Sequence, residues 1–242
     1  MIIREIPNKA DLRVKKIRMT CDDQGLDVPY PLQRSNFFSI IAGQPGSGKT
    51  NLLLSLISKR GKFYNKQFHK IYIFSNSLHT IKKKLKVPPE QLINGFSEAA
   101  LMKVIDDEQR EFDDLEEGEC PNKILIILDD VVSQIQKNMK ALLKLAYNRR
   151  HISGGLSLII TTQKLNKVPL ELRTAISSLY IFETKNKQEI NAIWNEYITL
   201  SRSEFAKIMK FVFDKKHNFL FLNLDLPAEK MMFKNFNQLL VN

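Results

Sequence analysis

The chain has 242 residues, 43% of them hydrophobic and 26% charged, which is typical of a globular protein with one sizeable core. It contains no apolar run of about 18 residues and its first residues lack signal-peptide organisation, so we expect no transmembrane segment and a cytosol-like compartment. The formal net charge of +11 leaves two interpretations open, a polyanionic partner such as nucleic acid or a solvated basic surface.

The chain begins with a segment, residues 1–35, that we expect to pack on the core of the domain formed by residues 36–242. An apolar run, Phe37–Ala42, then leads into a complete G-x-x-x-x-G-K-[ST] phosphate-binding loop (P-loop), and an apolar helical stretch follows it. A strand that turns through glycines into a helix N-terminus directs backbone N–H groups and a positive dipole end toward an anion. The predicted nucleotide contacts are Gly43, Gln44, Pro45, Gly46, Ser47, Gly48, Lys49, Thr50 and Asn51.

Two residues of this loop have individual roles in the prediction. Lys49 is expected to reach the β- and γ-phosphates, and the Thr50 hydroxyl is expected to ligate Mg²⁺. The stretch Asn186–Glu189 resembles the guanine-recognition motif N-K-x-D, but its fourth residue is Glu, and no D-x-x-G follows the acidic strand described below. We therefore expect ATP rather than GTP, with Mg²⁺ as the metal cofactor.

Near-continuous apolar runs predict strands that are buried on both faces of a parallel sheet, and helical stretches alternate with them. The predicted strands are Phe37–Ala42, Lys70–Ser75, Ile124–Leu128, Leu156–Thr161 and Ser178–Phe182, with a further strand over Phe219–Leu224. The predicted helices are Asn51–Lys59, Ser97–Phe112, Ser133–Asn148, Leu170–Ile176, Lys187–Tyr197 and Ser201–Phe213. The alternation predicts an α/β P-loop NTPase fold, with a mostly parallel sheet sandwiched between helices and a small C-terminal extension of strand and helix.

Polar residues follow two of the predicted strands. Ile124–Leu128 ends in Asp129 and Asp130, of which Asp129 is expected to support Mg²⁺ and Asp130 to activate the attacking water. Leu156–Thr161 is followed by Gln163, whose amide is suited to sensing the γ-phosphate, with Thr162 as a weaker choice. The alternative is an ordinary strand-to-loop transition in each case, but the complete phosphate-binding loop upstream favours the catalytic interpretation.

Basic residues supply two further predictions. The candidates for an arginine finger, which would act in trans if the protein forms a ring, are Arg149, Arg150 and Arg173, and a plain surface or DNA-phosphate contact stays open for each of them. Residues 59–86 contain nine Lys or Arg and no acid. The densest cluster there predicts a DNA contact, although an exposed helix end explains it equally well: Lys82, Lys83, Lys84 and Lys86.

Together these segments resemble the FtsK/HerA superfamily, with an ASCE/RecA-like core. The resemblance covers roughly residues 36–225 and is strongest to the genome-packaging ATPases of nucleocytoplasmic large DNA viruses and virophages. The phosphate-binding loop itself is unspecific. The discriminating part is the run of Arg150-His151, Thr161-Thr162-Gln163 and Pro169-Leu170-Glu171-Leu172-Arg173. One departure is Asp130, because many members of the superfamily have Glu after the metal-supporting Asp.

The resemblance implies a ring-forming ATPase that pumps double-stranded DNA into a viral capsid. It implies capsid or portal partners, and a location in the host cytoplasm at the viral factory or with the virion. It also implies an arginine finger supplied in trans, for which Arg150 is the preferred residue. Two alternatives stay open at this point. One is a helicase or another DNA-dependent P-loop ATPase, and the other is a scaffold whose assembly is gated by nucleotide binding.

Overall fold

A computed structural model describes residues 25–34, 36–58, 63–78, 87–136 and 139–241. Nine strands run through these residues, and the first five long ones follow the predicted apolar runs closely. The strands are β1 (Phe38–Ala42), β2 (Lys70–Ser75), β3 (Leu92–Asn94), β4 (Ile124–Asp129), β5 (Leu156–Thr162), β6 (Ser178–Phe182), β7 (Phe219–Asn223), β8 (Met232–Lys234) and β9 (Asn237–Gln238).

Seven α-helices among the described residues connect or flank the strands. They are α1 (Lys49–Ile57), α2 (Glu98–Asp113), α3 (Val132–Ile135), α4 (Lys140–Asn148), α5 (Leu170–Arg173), α6 (Lys187–Tyr197) and α7 (Arg202–Val212). Short 3₁₀ turns occupy Pro89–Gln91, Ile152–Gly154 and Leu165–Lys167. Helix α7 begins with a capping box, because the Ser201 hydroxyl accepts from the Glu204 N–H while the Glu204 carboxylate accepts from the Ser201 N–H.

All nine strands form one sheet with the order β3-β2-β4-β5-β1-β6-β7-β8-β9. The strands from β3 to β6 in this order are parallel, whereas β7, β8 and β9 are added antiparallel. Strand β5 therefore lies between β1, which leads into the phosphate-binding loop, and β4, which ends in the acidic pair. This order brings the carboxyl ends of β1, β5 and β4 to one edge of the sheet.

Helices cover both faces of the sheet, as the alternation of side chains along the strands requires. In β4, Ile126 and Leu128 pack into one apolar cluster with Leu142 and Leu145 of α4, while Leu125 and Ile127 pack into the other. That second cluster contains the apolar face of α1. The structure thus confirms the predicted α/β fold with a mostly parallel sheet between helices.

The structure corrects one predicted helix. The continuous helix over Ser133–Asn148 is wrong, because α3 ends at Ile135 and α4 begins only at Lys140. The start of α4 is stabilised from outside, since the Ala141 N–H donates to the Glu98 carboxylate of α2 at 2.6 Å. A cap that comes from a residue 43 positions away leaves no local signal in the sequence.

The sequence analysis also missed three short strands, β3, β8 and β9. Each has two or three residues and lies toward an edge of the sheet. Segments of this length are too short to show a period of two, so pairing with a neighbouring strand decides their conformation. The helix predicted over Leu170–Ile176 is present but ends earlier, at Arg173.

Candidate nucleotide-binding site

The phosphate-binding loop connects β1 to α1 as the motif predicts. Gly46 and Gly48 have φ angles of 74° and 115°, conformations that side-chain-bearing residues rarely adopt. Helix α1 starts directly after Gly48, with no side-chain cap and no acidic residue in its first turn. The N–H groups of that turn are therefore suited to an external anion, and the helix dipole favours one.

The Lys49 side chain folds over the loop. Its ammonium donates to the Gly43 carbonyl at 2.6 Å and to the Gln44 carbonyl at 3.1 Å. Burial lowers the pKa of Lys49, while the negative charges of Asp130 and Asp129 act in the opposite direction. The cation is thus held between the loop and the acidic pair, where the phosphates of a nucleotide would need it.

Both oxygens of the Asp129 carboxylate accept hydrogen bonds from hydroxyl groups on the neighbouring strands. The Thr161 hydroxyl of β5 donates to Oδ1 at 2.7 Å, and the Ser75 hydroxyl of β2 donates to Oδ2 at 3.1 Å. The strand register explains these contacts, because Asp129 pairs with Thr161 on one side and with Ser75 on the other. A carboxylate fixed in this way is a suitable oxygen ligand for Mg²⁺ or for its waters.

The second acid is oriented by the same strand. Asp130 has a left-handed φ of 53°, and its N–H donates to the Thr161 hydroxyl at 3.0 Å. The Gln163 amide donates to Asp130 Oδ2 at 2.8 Å. The structure therefore joins two predicted catalytic residues, Asp130 and Gln163, in a direct contact, and Thr161 links both acids.

Thr162 does not join this group. Its side chain is buried, and its hydroxyl donates to the Lys164 carbonyl at 3.0 Å, which stabilises the turn after β5. Thr161 is the threonine that faces the acids. The sequence analysis missed both Thr161 and Ser75 as partners of Asp129, because only the strand order shows which residues stand beside the acid.

The three arginines have different environments. Arg173 is held within its own subunit, where it donates to the Glu196 carboxylate and to the Val168 carbonyl. Arg149 is buried and donates to the Ala146 carbonyl at 2.6 Å. Burial lowers the pKa of Arg149, and the neighbouring charge of Arg150 lowers it further. Arg150 alone of the three is exposed.

Arg150 lies far from the phosphate-binding loop of its own chain. Arg150 lies next to the first residue of β5, because the carbonyl of the preceding residue, Arg149, accepts a hydrogen bond from the Leu156 N–H. The phosphate-binding loop lies next to the last residue of β5, because it follows Ala42, which pairs with Thr162. Six residues of strand separate these ends by roughly 20 Å. An arginine side chain does not span that distance, so Arg150 does not reach the phosphate-binding loop of its own chain.

The predicted DNA contacts Lys82, Lys83, Lys84 and Lys86 lie outside the described residues. Within the part of the chain that the structure describes, no helix is both long and apolar enough to span a membrane.

Residues 30–222 match the protein family described as Poxvirus A32 protein. The chain belongs to this family. The match spans most of the chain and confirms the recognition that rests on the order and spacing of its motifs. No single curated protein matches the chain significantly.

Solved structures share the fold at low sequence identity. The DNA-packaging ATPase B204 from Sulfolobus Turreted Icosahedral Virus is 17% identical, with a TM-score of 0.53 over 78% of this chain and 93% of that one. The genome packaging NTPase B204 from Sulfolobus turreted icosahedral virus 2, in complex with ATP-gammaS, is 16% identical, with a TM-score of 0.55 over 84% and 98%. EssC (ATPases 2 and 3) from Geobacillus thermodenitrificans is 15% identical, with a TM-score of 0.55 over 84% and 39%.

The Thr161 hydroxyl gives a direct test of this geometry. We expect Thr161→Val to lower ATP hydrolysis at least about tenfold and to raise the Mg²⁺ concentration for half-maximal activity, because Asp129 and Asp130 lose a shared partner. The measurement is steady-state hydrolysis over a Mg²⁺ titration. Thr161→Ser keeps the hydroxyl and should retain activity. Wild-type kinetics in the valine variant would show that this hydroxyl does not orient the acids.

Proposed function

We propose that this protein is an ATP-hydrolysing motor that translocates double-stranded DNA into a viral capsid. The observation that carries the proposal is the hydrogen-bonded group of Asp129, Thr161, Asp130 and Gln163 beside the phosphate-binding loop. A protein that only binds a nucleotide does not need a carboxylate that is positioned to activate a water molecule for hydrolysis. Membership of the Poxvirus A32 family and the likeness to viral packaging ATPases support the packaging role.

In this proposal the loop and the start of α1 bind the phosphates of ATP. Lys49 exchanges its contacts with the Gly43 and Gln44 carbonyls for contacts with the β- and γ-phosphates. Thr50 and Asp129 hold Mg²⁺, which neutralises phosphate charge when it is bound. Each of these groups already lies on the same edge of the sheet, so little rearrangement is required.

The water-activating role is assigned to Asp130. Its carboxylate orients the attacking water and accepts the proton, while Gln163 holds one carboxylate oxygen. Gln163 is the first residue after β5. Loss of the γ-phosphate would therefore change the position of Gln163 and, with it, the position of the loop that follows β5. The segment after it is firmly attached, since the Leu165 N–H donates to the buried Glu189 carboxylate at 2.8 Å. This hydrogen bond gives hydrolysis a route to helix α6.

The first measurement for this function is steady-state ATP hydrolysis with and without long double-stranded DNA. We expect duplex DNA to stimulate hydrolysis several-fold and Lys49→Ala to abolish it, because the variant loses the phosphate-binding cation. Hydrolysis by the wild type that no nucleic acid changes would contradict the DNA motor. ATP binding with no turnover under either condition would support the scaffold alternative.

We further propose that Arg150 completes the active site of a neighbouring subunit in a homo-oligomeric ring. Its exposure, and its place at the opposite edge of the sheet from its own loop, support this assignment. Arg149 and Arg173 are both engaged inside the subunit. The ring would meet capsid or portal proteins at the viral factory in the host cytoplasm, or remain with the virion.

Mixing two inactive variants tests the arginine assignment. We expect Arg150→Ala to reduce hydrolysis by about a thousandfold, the scale on which an arginine finger accelerates the reaction. Adding Lys49→Ala subunits, which keep Arg150, should restore a substantial part of the activity. Arg202→Ala serves as a matched control, because Arg202 is also exposed and its guanidinium lies over the Trp194 ring of its own subunit at 4.8 Å. Absence of recovery in assembled mixtures would contradict a finger supplied in trans.

We propose that the lysine cluster of residues 82–86 binds the phosphates of DNA. We expect replacement of Lys82, Lys83, Lys84 and Lys86 by Ala to weaken duplex binding and to flatten its salt dependence by about 0.9 for each phosphate that the variant leaves without a lysine. Basal hydrolysis should persist. The control variant removes four exposed lysines from helices: Lys103, Lys144, Lys207 and Lys210. Equal salt slopes for the two variants would remove the cluster from the DNA path.

A further inference from the structure

The loop that precedes β7 touches the phosphate-binding loop. His217 Nδ1 lies 2.9 Å from the Ser47 carbonyl oxygen. A carbonyl only accepts, so Nδ1 is the donor of this hydrogen bond. His217 also has a left-handed φ of 70°. Ser47 and His217 are 170 residues apart, and no sequence motif links them.

A cleft of about 200 Å³ lies between these two loops. Its lining combines the phosphate-binding loop, the end of β6 and a basic turn, and includes Gln44, Pro45, Phe182, Lys215, Lys216 and His217. The Phe182 ring lies close to both ends of the phosphate-binding loop. A methyl group added at Gly48 would come within 3.2 Å of Phe182 Cε1, and one added at Gly43 would come within 2.7 Å of Phe182 Cβ.

The strand order gives the direction in which a nucleotide must lie, provided that the proposed function is right. The acids and Gln163, which act on the γ-phosphate, follow β4 and β5 on one side of β1. The cleft lies on the other side of β1, at the ends of β6 and β7. A triphosphate with its terminal phosphate at the acids therefore extends its nucleoside toward the cleft.

We propose that this cleft receives the nucleoside end of the nucleotide and that the His217 ring contacts the base or ribose. Two observations fit this chemistry. The cleft has one exposed aromatic ring, His217, that can pack against a flat heterocycle, whereas Phe182 is buried against the phosphate-binding loop. It also has two cations, Lys215 and Lys216, against one acid, Glu183, and this excess of positive charge favours a polyphosphate anion nearby. The hydrogen bond to Ser47 fixes the ring beside the loop.

The experiment compares a nucleotide with a polyphosphate that lacks the nucleoside. Binding of AMPPCP and of inorganic tripolyphosphate, both with Mg²⁺, is measured by calorimetry on the full chain. The variant His217→Asn is chosen because Asn tolerates a left-handed φ and its amide can still donate to the Ser47 carbonyl. We expect AMPPCP affinity to fall about tenfold, the scale of stacking between one base and an aromatic ring, and tripolyphosphate affinity to stay within about twofold.

Controls separate this inference from the proposed function. His69→Asn makes the same change at an exposed residue beside Lys123, before β2, and should bind both ligands as the wild type does. Lys49→Ala should bind neither. Equal weakening of both ligands in His217→Asn would mean that the ring only supports the phosphate-binding loop, and unchanged binding of both would mean that the nucleoside lies elsewhere. Either result overturns the inference while leaving the ATPase intact. Failure of the wild type to bind either ligand overturns both proposals.

Discussion

The position of β5 between β1 and β4 is the constraint on which the site depends. Because β5 separates the phosphate-binding loop from the acidic pair, a hydroxyl at its end, Thr161, can contact Asp129 and Asp130 together. The next polar residue, Gln163, then reaches Asp130 from the same strand end. A sheet with β1 directly beside β4 would have no strand end in this place. This hydrogen-bonded group is therefore a consequence of strand order as much as of residue identity.

The features that depend only on residues close together in the sequence could be predicted from it. The phosphate-binding loop, the acidic strand end of β4 and the long buried strands are all local patterns, and the structure contains them where the sequence puts them. The contacts of Ser75, Thr161 and His217 could not be predicted, since their partners are between 31 and 170 residues away. The interruption between α3 and α4 is similar, because Glu98 supplies the hydrogen bond at the start of α4.

The arginines show what the structure adds to a motif. The sequence contains three candidates, of which the family resemblance favours Arg150, and burial and side-chain pairing in the structure distinguish them. Arg149 is enclosed and Arg173 is paired with Glu196, which leaves Arg150 exposed at the amino-terminal edge of the sheet. If Arg150 serves a neighbouring active site, hydrolysis requires assembly. In such a motor, separate subunits would not hydrolyse ATP, and hydrolysis would begin only after the subunits assemble on DNA.

Movement of this protein along an intact duplex, driven by ATP hydrolysis, is tested most directly by displacement of a third strand. A labelled oligonucleotide is bound as a triplex at one end of a long DNA duplex, and its release is followed after ATP is added. We predict ATP-dependent release of the third strand that Lys49→Ala abolishes, with the two duplex strands still paired. Separation of the duplex strands would indicate a helicase, and DNA-stimulated hydrolysis without any displacement would contradict translocation.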